Sequence, residues 1–392
     1  MTDSPRVSSA AFTAARPGTS AGSPPRVALL VERLSTYGGT EGFAWRLAKA
    51  LTGRGHAVEM VCARQETDPP PGVGVITVGR PPLLRWLKTA WFALAAERVR
   101  RRRGYTVTVS CGNTLAQDIA RVSGGPLDVF HEKSIRAYPP GLPRLFKRLK
   151  RALSPANAVV RAVQKRQFAD GGRIVCVSHL VREWMASSFS SLSIEDMGVV
   201  YNRPDLARYH VPSREERRSA RERFGLAPGE YAVGLAGTNF MLKGVATAVS
   251  ALAELPENTR LLVAGGRAPE RFLRQARELG VAERVRFLGR VADMAGFYHA
   301  CDLFVLPTYY DTCSNVVLEA RACGLPAITT RSNGAGYFLE DRWLLDDAAD
   351  HHALAGLIRT ASESPGLVPF AWPEDVPAGI EPYVRMVEEL LG

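Results

Sequence analysis

The chain has 392 residues, with 50 Lys and Arg against 39 Asp and Glu and a formal net charge of +11. That length exceeds what one hydrophobic core ordinarily serves, so two domains are expected, each able to bury its own core. No apolar run approaches the 18 residues of a membrane span, and Met1–Pro25 lacks the apolar stretch of a signal peptide, which predicts a cytoplasmic protein.

Residues 1–25, rich in Ser, Ala, Pro and Gly, are expected to form a disordered tail. From Arg26 short β-rich runs alternate with amphipathic stretches, the pattern of a parallel sheet wrapped by helices. Strands are predicted at Val27–Val31, Ala57–Cys62, Val73–Val78, Thr106–Ser110, Leu127–Phe130, Arg173–Val177 and Gly198–Tyr201. The Pro-rich, polar stretch Asn202–Ser213 reads as an interdomain linker. A second strand series follows at Tyr231–Ala236, Arg260–Ala264, Val285–Leu288, Leu303–Leu306 and Ala327–Thr330, and the tail ends in a helix over Gly379–Leu391. Two doubly wound α/β domains are therefore expected, with ligands held outside the carboxyl ends of their strands.

Charge divides unevenly. Residues 1–200 carry 29 Lys and Arg against 14 Asp and Glu, whereas 201–392 carry 21 against 25. The first half is thus expected to meet something anionic. Within it, Pro143–Leu153 sets Arg144, Lys147, Arg148 and Arg151 against an apolar face of Leu142, Leu145, Phe146, Leu149 and Leu153. A second stretch, Arg85-Trp86-Leu87-Lys88 to Trp91-Phe92, runs into Arg100–Arg103. Trp beside Lys and Arg suits an anionic membrane surface. The competing expectation is that both apolar faces pack on the core. No nucleic-acid module accompanies the charge, so a nucleic-acid partner is not expected. The six cysteines contain no C-x-x-C pair and read as reduced core residues.

Chemistry concentrates at strand ends. Asp311-Thr-Cys-Ser-Asn-Val-Val-Leu-Glu319 puts two acids eight positions apart across a strand-to-helix junction. Asp311 falls just outside the helix and Glu319 within it, beside backbone amides that a helix start leaves free. Gly237-Thr-Asn-Phe-Met-Leu-Lys243-Gly244 follows the strand Tyr231–Ala236 and brings a cation to another helix start, placed to stabilise a departing diphosphate. Gly38-Gly39-Thr40 forms the first strand-to-helix turn, where glycines admit a phosphate or sugar to the backbone and Thr40 is placed to cap the helix. His131-Glu132-Lys133 would stand at the carboxyl end of the strand Leu127–Phe130. Asp118 reads as a helix-surface charge paired with Arg121. No D-x-D, H-E-x-x-H or P-loop pattern occurs, so no metal site is expected.

The acid-x7-acid block, followed by Ala320–Pro326 and a β run, resembles the E-x7-E segment of the family-four retaining glycosyltransferases, with the lipopolysaccharide core glucosyltransferases the nearest branch. The resemblance covers about Val27–Asp347. It implies the GT-B fold: an acceptor-binding Rossmann-like domain at 26–202, a nucleotide-sugar-binding one at 203–366, and a segment at 367–392 whose helix crosses back. It implies a metal-independent hexosyltransferase that uses no cofactor, takes a nucleoside diphosphate sugar such as a UDP-sugar as co-substrate, and transfers with retention to a lipid-linked or lipopolysaccharide glycan on the cytoplasmic face of the inner membrane, in cell-envelope synthesis. By the same resemblance Asp311 orients the donor sugar, and Thr312 and the amides of Cys313, Ser314 and Asn315 hold sugar or phosphate. Glu319 takes the ribose diol, Lys243 with Gly237 grips the diphosphate, Gly38 and Gly39 form the glycine-rich loop, and His131 approaches the transferred sugar. Asp118 would instead be, as the resemblance implies, an acid kept near the acceptor. Relatives carry Arg where this chain has Thr238 or Leu242, and Arg267 is the candidate replacement. Asp311 is one methylene shorter than the usual Glu. A sugar-nucleotide epimerase of the same fold and a non-catalytic basic scaffold are the alternatives.

Overall fold

The computed structural model describes residues 26–392 except 37, 81–86, 170, 267–268 and 365. The tail 1–25, Arg85, Trp86 and Arg267 therefore lie outside the described residues. Thirteen strands are described: β1 (Arg26–Leu34), β2 (Ala57–Gln65), β3 (Gly74–Thr77), β4 (Val107–Ser110), β5 (Ile119–Val122), β6 (Arg173–Cys176), β7 (Met197–Val199), β8 (Tyr231–Ala236), β9 (Thr259–Ala264), β10 (Val285–Gly289), β11 (Leu303–Leu306), β12 (Ala327–Thr330) and β13 (Leu344–Leu345). They form two wholly parallel sheets, ordered β3-β2-β1-β4-β5-β6-β7 and β10-β9-β8-β11-β12-β13. Each order reverses beside its first strand, at β1 and at β8, which opens a crevice at the carboxyl ends. Val27–Val31 and Leu303–Leu306 are buried on both faces, as parallel strands covered by helices must be.

One predicted strand is wrong. Leu127–Phe130 belongs to the helix Leu127–Ser134, and His131 lies in that helix rather than at a strand end. The Gly124-Gly125-Pro126 turn sets the start: Pro126 is extended at φ −67° and ψ 139°, and the Leu127 amide donates to Gln164 Oε1 at 3.1 Å. The strand in that region is β5, four residues flanked or interrupted by Asp118 and Arg121. Asp118 is accordingly no helix-surface charge. Its Oδ2 accepts from the Thr108 amide and hydroxyl at 2.8 and 2.9 Å, tying β5 to β4.

The C-terminal helix Glu381–Leu391 packs into the core of the first sheet through Tyr383, Val384 and Val387. Phe43 meets Tyr383 edge-on at 4.7 Å, and Arg54 pairs with both Glu381 and Glu388. Just before this helix the chain runs beside the end of the first half, with the Tyr201 amide donating to the Pro377 carbonyl and the Gly379 amide to that of Tyr201. The two halves also meet at the cleft. The Tyr310 ring stacks on Trp184 at 4.8 Å and stands edge-on to Phe130 at 5.2 Å, while its hydroxyl donates to the Gly124 carbonyl at 2.6 Å. A Cβ on Gly125, at φ +66°, would run into that hydroxyl.

The Tyr383 hydroxyl is buried beside Arg121 but makes no hydrogen bond of ordinary geometry. Its ring does the packing. Tyr383→Ala is expected to lower the unfolding free energy by about 3–5 kcal/mol, and Tyr383→Phe by less than about 1 kcal/mol because no made bond is lost. Urea unfolding followed by circular dichroism checks both.

Candidate active site

Lys243 is placed by two glycines. Gly244 adopts φ +70° ahead of the helix Val245–Leu252, where a Cβ would collide with the Pro307 carbonyl, and a Cβ at Gly237 would lie 2.7 Å from Lys243 Cγ. The loop thereby folds back and points the lysine across the cleft mouth. Asp311 follows β11 through Pro307–Tyr310. Its amide donates to the Ser332 carbonyl at 2.9 Å and its carbonyl accepts from the Gly334 amide at 3.0 Å. Lys243 Nζ donates to Asp311 Oδ2, with side-chain exposures of only 18% and 13%. The two residues expected to hold opposite parts of the ligand are thus joined to each other in one ion pair.

The helix Asn315–Ala322 starts beside this pair, with Ser314 as its N-cap. Asn333 Oδ1 accepts from the amides of Ser314 and Ala335, at 3.2 and 3.1 Å. One amide of the expected anion cradle is therefore already used. Thr312 is pinned from both sides: its hydroxyl donates to the Ser123 carbonyl, and its carbonyl accepts from the Ser178 hydroxyl, each at 2.7 Å. Asn202 Nδ2 donates to Asn315 Oδ1 at 2.7 Å, and Gly39 closes over Asn315, whose Nδ2 would be 3.7 Å from a Cβ there. The turn residue Thr40 caps nothing. The helix begins at Gly39 with Gly38, at φ +97°, as N-cap, and the Thr40 hydroxyl pairs instead with Ser123 Oγ at 2.8 Å.

Two adjoining cavities occupy the cleft. One, of about 360 Å³, is lined by Gly39, Thr40, Asn202, Gly237, Lys243 and the segment Asp311–Val316. The other, of about 520 Å³, extends into the first half past Gly112, Gly124, Leu127, Phe130, Gln164 and Tyr310. Arg121, Ser123, Lys243, Asp311 and Thr312 line both. Gln167 builds part of the second wall, donating through Nε2 to the Gly112 carbonyl at 2.8 Å.

His131 lines neither cavity; its neighbour Phe130 does. The His131 carbonyl accepts from Arg151 at 2.9 Å, and burial, with Arg151 and Arg161 nearby, holds its imidazole below the usual histidine range. Glu319 also stands apart from both cavities. Its Oε2 accepts from the Tyr298 hydroxyl at 2.9 Å, and burial pushes its carboxyl above the usual range, with the hydrogen bond opposing. The sequence reading missed Arg121 and Ser123 as site residues because β5 went unrecognised. Arg121 is buried, stacks 4.0 Å over the Phe43 ring and donates to Asn202 Oδ1 at 2.8 Å.

Residues 37–208 match the family described as Glycosyltransferase Family 4, and residues 231–363 match Glycosyl transferases group 1. The chain belongs to these glycosyltransferases. It is 36% identical over 134 residues to a D-inositol 3-phosphate glycosyltransferase of Mycobacterium marinum, covering 32% of this chain and 28% of that one. It is 33% identical over 138 residues to the lipopolysaccharide glucosyltransferase WaaG of Escherichia coli, covering 34% and 37%. The chain thus spans well under half the length of either curated relative. Among solved structures, a WaaG crystal structure superposes with a TM-score of 0.71 at 21% identity, covering 86% of this chain and 90% of that one. Anabaena HepE in complex with UDP and glucose gives 0.61 at 19%, covering 86% and 90%. These superpositions show the GT-B fold.

The raised pKa of Glu319 has a stability consequence with a definite sign. A carboxyl whose folded pKa lies above its unfolded value of 4.5 supports folding below that value and loses this support as pH rises through the folded pKa. Glu319→Gln is therefore expected to be more stable than the parent at pH 7, with the difference vanishing below about pH 4.5. Denaturant midpoints across pH 4–8 check it.

Proposed function

We propose that the protein transfers a hexose from a UDP-sugar, with retention, to a glycan carried on a lipid, such as a lipopolysaccharide core, at the cytoplasmic face of a membrane. The observation that carries this reading is the meeting of Lys243, Asp311 and the start of the helix Asn315–Ala322 with the Gly38-Gly39 turn around one cavity. The UDP-bound neighbour and the glycan-directed activity named for WaaG support it further. We place the acceptor domain at 26–202, the donor domain at 203–366 and the returning segment at 367–392.

In this reading the donor diphosphate draws Lys243 away from Asp311, and the freed carboxylate accepts hydrogen bonds from the sugar hydroxyls. The exchange keeps both charges compensated in a largely dry site. The bond from the sugar's anomeric carbon to the phosphate oxygen breaks while the bond to the acceptor oxygen forms on the same face. The acceptor proton passes to the departing phosphate oxygen, so no protein nucleophile is required. Lys243 and the helix start stabilise the charge that develops there. Glu319 receives the ribose diol after movement at Tyr298.

The acceptor's lipid is met by the helix Leu142–Ala152. Its apolar face does not pack on the core: Leu142, Leu145, Phe146, Leu149 and Leu153 are 80%, 53%, 69%, 52% and 80% exposed. Arg148 and Lys150 of the same helix are exposed, each worth about 1 kcal/mol near an anionic leaflet. The Arg100–Arg103 run contributes less, because Arg100 and Arg101 both pair with Glu97. No helix among the described residues is long and apolar enough to cross a membrane.

Incubation with UDP-, GDP- and ADP-sugars plus glycan acceptor, followed by mass spectrometry, is expected to show nucleotide release from one donor that requires acceptor. Lys243→Ala and Glu319→Gln are each expected to lower kcat/KM by about 10²-fold or more. Turnover of donor without acceptor, or none with any donor, would sink the reading. Sedimentation with phosphatidylglycerol vesicles is expected to carry the protein down at low salt, with Leu145→Glu/Phe146→Glu remaining in the supernatant. Equal sedimentation of both proteins would refute the anchoring helix.

A further inference from the structure

In the second half, outside the residues that line the two cleft cavities, three side chains from two segments converge on one point. Glu254 lies just past the helix Val245–Leu252, and His351 and His352 open the helix His351–Glu363. His352 Nδ1 is 2.7 Å and His351 Nε2 3.6 Å from the same oxygen, Glu254 Oε1. The two imidazole rings lie 4.0 Å apart at 34°, and one ligand atom from each of the three residues falls within 4.8 Å of the others. Glu254 Oε1 is buried, yet neither nitrogen meets it in hydrogen-bonding geometry. Proximity without a hydrogen bond leaves this carboxylate oxygen without a hydrogen-bond partner.

We propose that Glu254, His351 and His352 form a zinc site, with solvent completing the coordination. Two imidazoles and one carboxylate suit a borderline ion such as Zn²⁺, whereas Mg²⁺ and Ca²⁺ favour oxygen-only sets. Metal–ligand distances of about 2.0–2.2 Å place tetrahedral ligands roughly 3.3–3.6 Å apart. His351 already meets that spacing to Glu254 Oε1. His352 must retreat slightly, and at 74% side-chain exposure it is free to do so. The positive end of the helix His351–Glu363 opposes a cation, so coordination alone holds the ion.

The position gives the ion a mechanical role. The helix Val245–Leu252 begins directly after Lys243-Gly244, and Thr247 Oγ1 already donates to the Ala348 carbonyl at 2.7 Å. Asp347, one residue earlier, pairs with Arg136 of the first half at 2.7 Å. Zinc cross-links the two segments that carry the cleft lysine and this interdomain ion pair.

The test is calorimetric titration of ZnCl₂ into the EDTA-treated, dialysed full chain without a polyhistidine tag, alongside thermal melts. One equivalent is expected to bind and to raise Tm. His352→Ala and Glu254→Gln are each expected to weaken zinc by at least about tenfold and to lose the Tm gain while melting normally without metal. His210→Ala, at the separate His210–His299 pair, is expected to change neither readout. No binding below millimolar zinc, unchanged affinity in both site variants, or loss in His210→Ala instead would overturn the proposal.

Discussion

A lysine ammonium and an aspartate carboxylate that are both mostly covered by protein are best placed facing each other, because each alone would leave a poorly hydrated charge unpaired. Lys243 and Asp311 meet that requirement, and much of the surrounding backbone serves to bring them together. Gly237 leaves room for the lysine stem to fold back, and Gly244 takes a left-handed turn against Pro307 that a side chain would block. Asp311 is fixed by the amide of Gly334 and the carbonyl of Ser332. In the proposed function the pair is a placeholder as much as a bond, since a donor offering an anion on one side and hydroxyls on the other would replace both halves at once.

The same junction holds the two sheets in register across the cleft. Tyr310, one residue before Asp311, is clasped by Trp184 and Phe130 of the first half, and Thr312, one residue after it, bonds to Ser123 and Ser178. Movement of the halves therefore acts on Asp311 through both its neighbours. At the start of the linker, Asn202 accepts from Arg121 and donates to Asn315, connecting the first sheet to the helix beside the acid. The C-terminal helix closes the circuit by packing beside Arg121 and Phe43.

Most of this was legible where the pattern was long or the residue had one physical use. The buried runs Val27–Val31 and Leu303–Leu306 read as parallel strands because polar residues are absent from both faces. Lys243-Gly244 read as a loop entering a helix because it lies between the strand Tyr231–Ala236 and the helical run from Val245. Leu127–Phe130 misled because four residues with alternating polarity fit one turn of a helix as well as a strand. The true strand Ile119–Val122 was obscured by its own Asp118 and Arg121, whose partners, Thr108 and Asn202, lie 10 and 81 residues away. The Lys243–Asp311 contact spans 68 residues, and only the fold could reveal it.

The exposed helix and the larger cavity are one assembly. Arg151 of the helix Leu142–Ala152 donates to the His131 carbonyl and the Ser134 hydroxyl, and Arg144 donates to the Tyr138 carbonyl. Those bonds fix the amphipathic helix to the end of the helix Leu127–Ser134, whose Leu127 and Phe130 line the cavity. In the proposed membrane-bound state this has a direct consequence. The helix with the exposed apolar face is then joined by hydrogen bonds to the helix that lines the larger cavity, so a lipid-carried acceptor of the kind proposed would meet both on one side of the protein. His131 contributes through its backbone: its carbonyl anchors the exposed amphipathic helix, while Phe130 lines the larger cavity and supports Tyr310.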